Sequence, residues 1–375
     1  MRLPIRLLVA CALVLGSAGA AFGQQPATGV PAPASAALPS APGLGMAAGI
    51  LVDAASGKVV WSQNADAQRA PASLTKVLTA LVVLDQANLD DNVTVTPEAR
   101  AVGGARMYAE SGWVMPVRDL LWGLLLQSGN DAAVALAQKV SPDGTVAGFA
   151  TLMNERAKQL GATRSNFVNP HGLDAPGHLT TARDMAIISS AALRNPTFAQ
   201  MVATYSHQIP WGDGSSHTLT NHNKLLTRYP GTIGVKTGYT LGAGPSLISA
   251  VRRGDHTLIA VVMGSPSQGH YNESTALYDW GFAHLPALLA QPQSILPPPP
   301  ATAPARVGAA SPGEGGTSRV AGLEVEQLTG AAPISSRRYP VTTAVGLATA
   351  ALVGLVLVRR RPRTTLRTAG PQGPL

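Results

Sequence analysis

Cysteine is all but absent from this 375-residue chain: the one present, Cys11, sits in an apolar run near the N-terminus. Its rarity excludes a disulfide framework. Once that run is removed, it also excludes a cysteine nucleophile and thiolate-held zinc or iron–sulfur centres. Charge is scarce too, at 13% of residues, and its balance changes meaning when divided along the chain. The excess of 28 Lys+Arg over 20 Asp+Glu gives +8, but Arg2, Arg6, Arg337, Arg338, Arg359, Arg360, Arg361, Arg363 and Arg367 lie in two ends without acids. Without those nine, residues 25–336 hold 19 basic against 20 acidic side chains. A near-neutral body lacks the clustered cations of a nucleic-acid footprint, so no nucleic-acid partner is expected. His217 and His222 lack the spacing and carboxylate of a zinc helix, and neither a metal nor a cofactor is expected. The sequence has no internal repeat.

What the ends do contain points to a membrane. Arg2 and Arg6 precede an apolar run, Leu7–Leu15, and the small-residue stretch Gly16–Ala21, the order of a secretory signal peptide over residues 1–23. Val341–Val358 is uncharged and long enough to span hydrocarbon, and the arginines that follow it favour a basic cytoplasmic tail over 359–375. The expected location is therefore secreted across and anchored to the cell membrane, with the body on the extracytoplasmic face.

Residues 24–45 and 291–340 are Pro-rich and poor in apolar surface, which predicts disordered spacers. The folded unit predicted between them runs from Met46 to Ala290. Within it, Met46–Val52 and Lys58–Gln63 read as a hairpin around Asp53–Gly57. Helical patterns follow at Ser73–Ala87, Val117–Leu126, Asp131–Val140, Thr145–Leu160 and Thr181–Leu193, the last with Thr180 as its cap. Thr232–Tyr239, Ser246–Arg253 and Thr257–Met263 read as strands and Asn272–Leu289 as a final helix. Strands at both ends with helices between predict an α/β unit whose antiparallel sheet is assembled from both termini.

Three short patterns occur in order: Ser73-Leu74-Thr75-Lys76, Ser128-Gly129-Asn130 and Lys236-Thr237-Gly238. Each alone is weak, and Ser62-Gln63-Asn64 shows how easily the second arises by chance. Ser73 and Lys76, three apart at a helix start, share one face, whereas a simple capping serine would require no lysine one turn later. Ser128 and Asn130 sit in a turn between two apolar helices. Gly238, on a strand, would admit a second backbone at close range, though an edge lysine is the plainer reading of Lys236. His171 lies in the turn-like Asn169-Pro170-His171-Gly172, which favours a structural bond to its loop over a Ser–His pair.

Taken together, the motifs resemble those of penicillin-binding proteins and serine β-lactamases. Arg69–Lys76, Arg118–Leu121 running into Gln127–Ala133, Phe167–Asp174 and Gly234–Thr240 are similar to the low-molecular-mass D-alanyl-D-alanine carboxypeptidases over roughly residues 46–285. The resemblance implies an α-helical cluster on an antiparallel five-stranded sheet, with the site between them. It implies Ser73 as nucleophile, Lys76 as base with its pKa lowered by burial and by Lys236, and Ser128 as proton relay to the leaving amine. Asn130 would orient Lys76 and the substrate amide. Lys236 and Thr237 would bind a terminal carboxylate, Gly238 and Tyr239 would flank the substrate strand, and the backbone N–H groups of Ser73 and Tyr239 would form an oxyanion hole. The implied partners are peptidoglycan stem peptides ending in D-Ala-D-Ala and, as acylating inhibitors, β-lactams. Alternatives of the same chemistry are a transpeptidase or endopeptidase, and outside enzymes a tethered peptidoglycan- or β-lactam-binding module. A class A β-lactamase would need a deacylating Glu, and neither Glu155 nor Glu273 sits in such a pattern. Two departures stand out: only the Pro-rich segment follows the catalytic unit, and His270 aligns with an arginine that many members carry.

Overall fold

Unbroken runs of buried residues build the centre of the sheet. In β1 (Ala48–Asp53), Ile50 and Val52 face one side and Leu51 the other, and all are fully buried. This is a strand covered on both faces. The structure, a computed structural model, describes residues 40–292 and 294–297. The expected signal peptide, spanning helix and basic tail, and most of both spacers, lie outside them.

β1 turns back through β2 (Val59–Gln63) as the predicted hairpin. A 3-10 turn at Ala72–Leu74 leads into α1 (Thr75–Gln86). A small ribbon follows, β3 (Asn92–Thr94) against β4 (Val114–Pro116), with α2 (Pro97–Ala101) between its strands. Helices α3 (Val117–Leu126), α4 (Asn130–Val140), α5 (Val146–Leu160), α6 (Ala182–Ala192) and α7 (Pro196–Ala203) come next. A hairpin of β5 (Ser206–Pro210) and β6 (Ser216–Thr220) and the one-turn α8 (Leu225–Arg228) precede the closing strands. These are β7 (Thr232–Gly238), β8 (Ser246–Arg253) and β9 (His256–Met263), followed by α9 (His270–Ala290).

The main sheet has the order β2-β1-β9-β8-β7, antiparallel throughout, so both ends of the unit supply it as expected. α9 covers one face, packing Leu277, Tyr278 and Leu285 against Leu51, Leu258 and Val262. The helical cluster covers the other, where Ile50, Ile259 and Val261 join residues of α1 and α6 in the larger core. Among the described residues no helix is long and apolar enough to cross a membrane.

Three expectations need correction. Thr181, not Thr180, caps α6: its side chain accepts from Asp184 N–H, while Thr180 bonds the backbone of Arg69. Residues 44–45 do not behave as spacer, since Leu44 packs on the second core and Gly45 N–H donates to Glu273 at 2.8 Å. Nor does the chain leave the sheet at Ala290. Val59 N–H donates to Ser294 C=O and Leu296 N–H to Gly57 C=O, both at 2.9 Å, so this segment covers the β2 edge and buries Leu296.

Candidate active site

The three motifs converge where the start of α1, the α3–α4 turn and the end of β7 meet. Ser73 occupies the 3-10 turn, half-buried, and its Oγ lies 2.9 Å from Lys76 Nζ. The turn is held under strain: Ala72, fully buried, has φ +48°, a left-handed value unfavourable for any residue with a Cβ. Gly172, itself left-handed at φ +91°, presses on the Ala72 carbonyl so closely that a Cβ there would come within 1.8 Å of it. Gly238 meets the turn from the other side, its missing Cβ leaving room for Ala72 and Leu74 at 3.2–3.3 Å. This is the close backbone approach the sequence suggested.

Lys76 is fully buried and donates to the His171 carbonyl as well as facing Ser73. Burial, first, and the charge of Lys236, second, hold its pKa well below the usual lysine value, while the Asp131 carboxylate opposes them. Lys236 is 2% exposed, and burial lowers its pKa to about 7. Its Nζ donates to Thr237 C=O at 3.1 Å. Thr237 is half-buried beside it, and Tyr239, just past the paired part of β7, is exposed.

Ser128 has φ +61°, and its hydroxyl is buried with no hydrogen-bond partner among the described residues. Asn130 shares that condition at Oδ1, while its Nδ2 donates to Gly103 C=O. The expected bond from Asn130 to Lys76 is therefore not made: the backbone carbonyl of His171 takes its place. Two buried, unpaired polar atoms on the α3–α4 turn are costly unless water or a ligand group satisfies them. The Ser73 N–H, in the first turn of its 3-10 helix, has no intrahelical acceptor to reach.

Sequence reasoning missed the residue that shapes this wall. Asp131, 1% exposed at the start of α4, accepts from the N–H groups of Met107, Tyr108 and Ala109, and from its neighbour Ala132. It thereby pins the Gly103–Ala109 loop over Asn130. Only its place directly after Ser-x-Asn hinted at it. His171 is structural, as expected: Nδ1 accepts from Leu173 N–H, and burial and the Lys76 charge lower its pKa to about 3. Glu273 is held by Gly45 N–H and the Ser265 hydroxyl, and Glu155 is exposed on α5. His270, 7% exposed at the start of α9, packs its ring at a tilt against Tyr271, and its Nδ1 has no hydrogen-bond partner among the described residues.

Comparison with known proteins gives one consistent picture. The family model described as D-alanyl-D-alanine carboxypeptidase matches residues 36–267. The chain is 40% identical over 255 residues to the D-alanyl-D-alanine carboxypeptidase DacC of Escherichia coli, covering 64% of this chain and 62% of the relative. It is 34% identical over 240 residues to DacF of Bacillus subtilis, covering 62% and 61% respectively. The chain thus spans about three fifths of the length of these two curated relatives. Among solved structures, the Streptomyces K15 DD-transpeptidase superposes with a TM-score of 0.62 at 32% identity, covering 65% of this chain and 100% of that one.

Proposed function

The chain belongs to the D-alanyl-D-alanine carboxypeptidase family, and from that premise we propose that it is a serine-type, penicillin-sensitive carboxypeptidase that removes the terminal D-alanine from peptidoglycan stem pentapeptides. The observation that carries this reading is the pair at its centre: Ser73 Oγ at 2.9 Å from a buried Lys76 whose pKa is driven down. A serine hydroxyl needs a base, and a lysine serves as one only as the neutral amine. Burial and the neighbouring Lys236 supply that condition.

In the proposed cycle the terminal carboxylate docks on Lys236 and Thr237, and the substrate strand lies along residues 236–240. Ser73 Oγ attacks the carbonyl between the two D-alanines as its proton passes to Lys76 Nζ. The N–H groups of Ser73 and Tyr239 take up the oxyanion charge. The C–N bond then breaks, and the proton reaches the departing amine through Ser128, whose unpartnered hydroxyl suits a relay. Asn130 Oδ1, also unpartnered, accepts from the substrate amide. Water next attacks the acyl-serine, giving its proton back through Lys76 and releasing the shortened peptide. A β-lactam enters the first half of this cycle and stalls at the acyl-enzyme.

Transfer to an amine acceptor is the second reading, favoured by similarity along the whole of the K15 DD-transpeptidase. Mass spectrometry of a synthetic stem pentapeptide incubated with the protein and an acceptor amine separates the two. Loss of one alanine, abolished by Ser73→Ala, is the expected result. A crosslinked product moves the assignment to transpeptidase. An unchanged peptide, with a penicillin adduct on Ser73, leaves a binding module. Undiminished alanine release from Ser73→Ala overturns the mechanism. The proposal also places this unit outside the cytoplasmic membrane, supported by the apolar runs and arginines of both ends; labelling of intact cells by a membrane-impermeant penicillin tests it.

A further inference from the structure

A cavity of about 330 Å³ opens where the end of α6 and α7 meet the far ends of β7, β8 and β9. It is separate from the site already described. Arg252 in its wall lies five residues along β8 from Leu247, the partner of Thr237, roughly 17 Å at strand spacing. Its volume is at the small end of the range for ligand pockets, about 300–1,000 Å³.

One side of the cavity is apolar, formed by Leu193, Ile233 and Ile259. Ile233 reaches it because the β7–β8 register slips between Thr232 and Gly234, leaving Ile233 as the extra residue of a bulge. The other side is cationic. Arg194 and Arg252 both line the cavity and both are exposed, which puts them on its open side. No carboxylate is among the lining residues. Arg252 Nε donates to Thr257 Oγ1 at 3.3 Å, and among the described residues the Arg194 guanidinium has no hydrogen-bond or ion-pair partner. The acid nearest in sequence, Asp53, is turned away: its Oδ2 accepts from Ser56 N–H and Oγ, and its Oδ1 faces His256 at 3.6 Å.

Two unopposed guanidinium groups beside an apolar wall recognise an anion with an apolar body. Their planar, forked donors match a carboxylate. We propose that this cavity binds a small organic carboxylate, with its apolar body on Leu193, Ile233 and Ile259 and its carboxylate between Arg194 and Arg252. The proposal does not depend on the catalytic reading of Ser73.

Calorimetric titration of the full chain with hexanoate, and separately with hexan-1-ol and hexylamine, tests it. Hexanoate is expected to bind saturably, one to one, whether or not penicillin is present. Arg194→Gln or Arg252→Gln should each weaken it roughly tenfold, the value of one charge-assisted bond, without moving the thermal midpoint. Arg194→Lys, which keeps the charge and loses the fork, should fall between. Hexanol or hexylamine binding as tightly as hexanoate, hexanoate binding unchanged in both glutamine variants, or no saturable binding would each overturn the proposal.

Discussion

Residue by residue, the site is governed by a contest over the protonation of Lys76. Burial and Lys236 favour the neutral amine, and Asp131 favours the cation. Because Lys76 is proposed to act as the neutral base, the rate should rise with pH through its pKa. Asp131→Asn removes the one opposing charge, lowers that pKa, and should move the acid limb of Ser73 acylation to lower pH. Lys236→Met removes a like charge and should move the same limb to higher pH, apart from its cost in carboxylate binding. Penicillin acylation rates followed against pH check both, and limbs that shift together or stay fixed would refute the contest. Asp131→Asn also replaces an oxygen facing N–H donors of Met107–Ala109 with an amide. That should cost about 1–3 kcal/mol of stability and loosen the wall that carries Tyr108.

At the scale of elements, the nucleophile turn depends on a loop remote in sequence. Gly172 can be only glycine: its φ is +91° and a Cβ would collide with the Ala72 carbonyl. Gly172→Ala should therefore cost about 1–2 kcal/mol for the left-handed backbone alone, with the clash added, and it should displace the strained residue before Ser73. Acylation of Ser73 is expected to slow more than the change in thermal midpoint accounts for; a variant that acylates normally would show that this loop does not set the geometry of the nucleophile. The sequence made the large elements legible because each carries a long apolar run, as in the unbroken buried stretches of β1 and β9 or Thr75–Val83 of α1. It did not reveal β5 and β6, since each buries one residue, Ile209 and Leu219, among exposed neighbours, too little for a period to show. The motifs located Ser73, Lys76, Ser128 and Lys236 through fixed local spacing. They were silent on the His171 carbonyl and on the Asp131 loop, because a backbone acceptor has no residue signature and a tertiary contact has no spacing.

For the molecule as a whole, the turn at Ser73 is tied into the fold through a buried histidine, which makes stability answer to acid. Thr75 Oγ1 donates to Ala72 C=O and lies 3.0 Å from His178 Nε2, while His178 Nδ1 accepts from Val168 N–H at 2.9 Å. Nδ1 can accept only when unprotonated, so the neutral ring carries its hydrogen on Nε2 and donates it to Thr75. A second proton would set Nδ1–H against Val168 N–H, in a residue 1% exposed, and burial accordingly lowers the pKa from 6.5 to about 4. Above pH 6.5 the folded and unfolded chains both hold a neutral ring here, and this group contributes no pH dependence. Between 6.5 and 4 the unfolded chain binds the proton more readily, so stability falls as pH falls, by about 3 kcal/mol over the interval. Below 4 the contribution is flat. His178→Gln keeps an acceptor and a donor but cannot titrate. Urea unfolding across this range should therefore show a shallower acid loss in the variant, by about the same 3 kcal/mol, even if it starts less stable at neutral pH. Parallel curves for the two proteins would mean that His178 binds its proton equally well in the folded and unfolded chains, and that it is not the source of the acid loss.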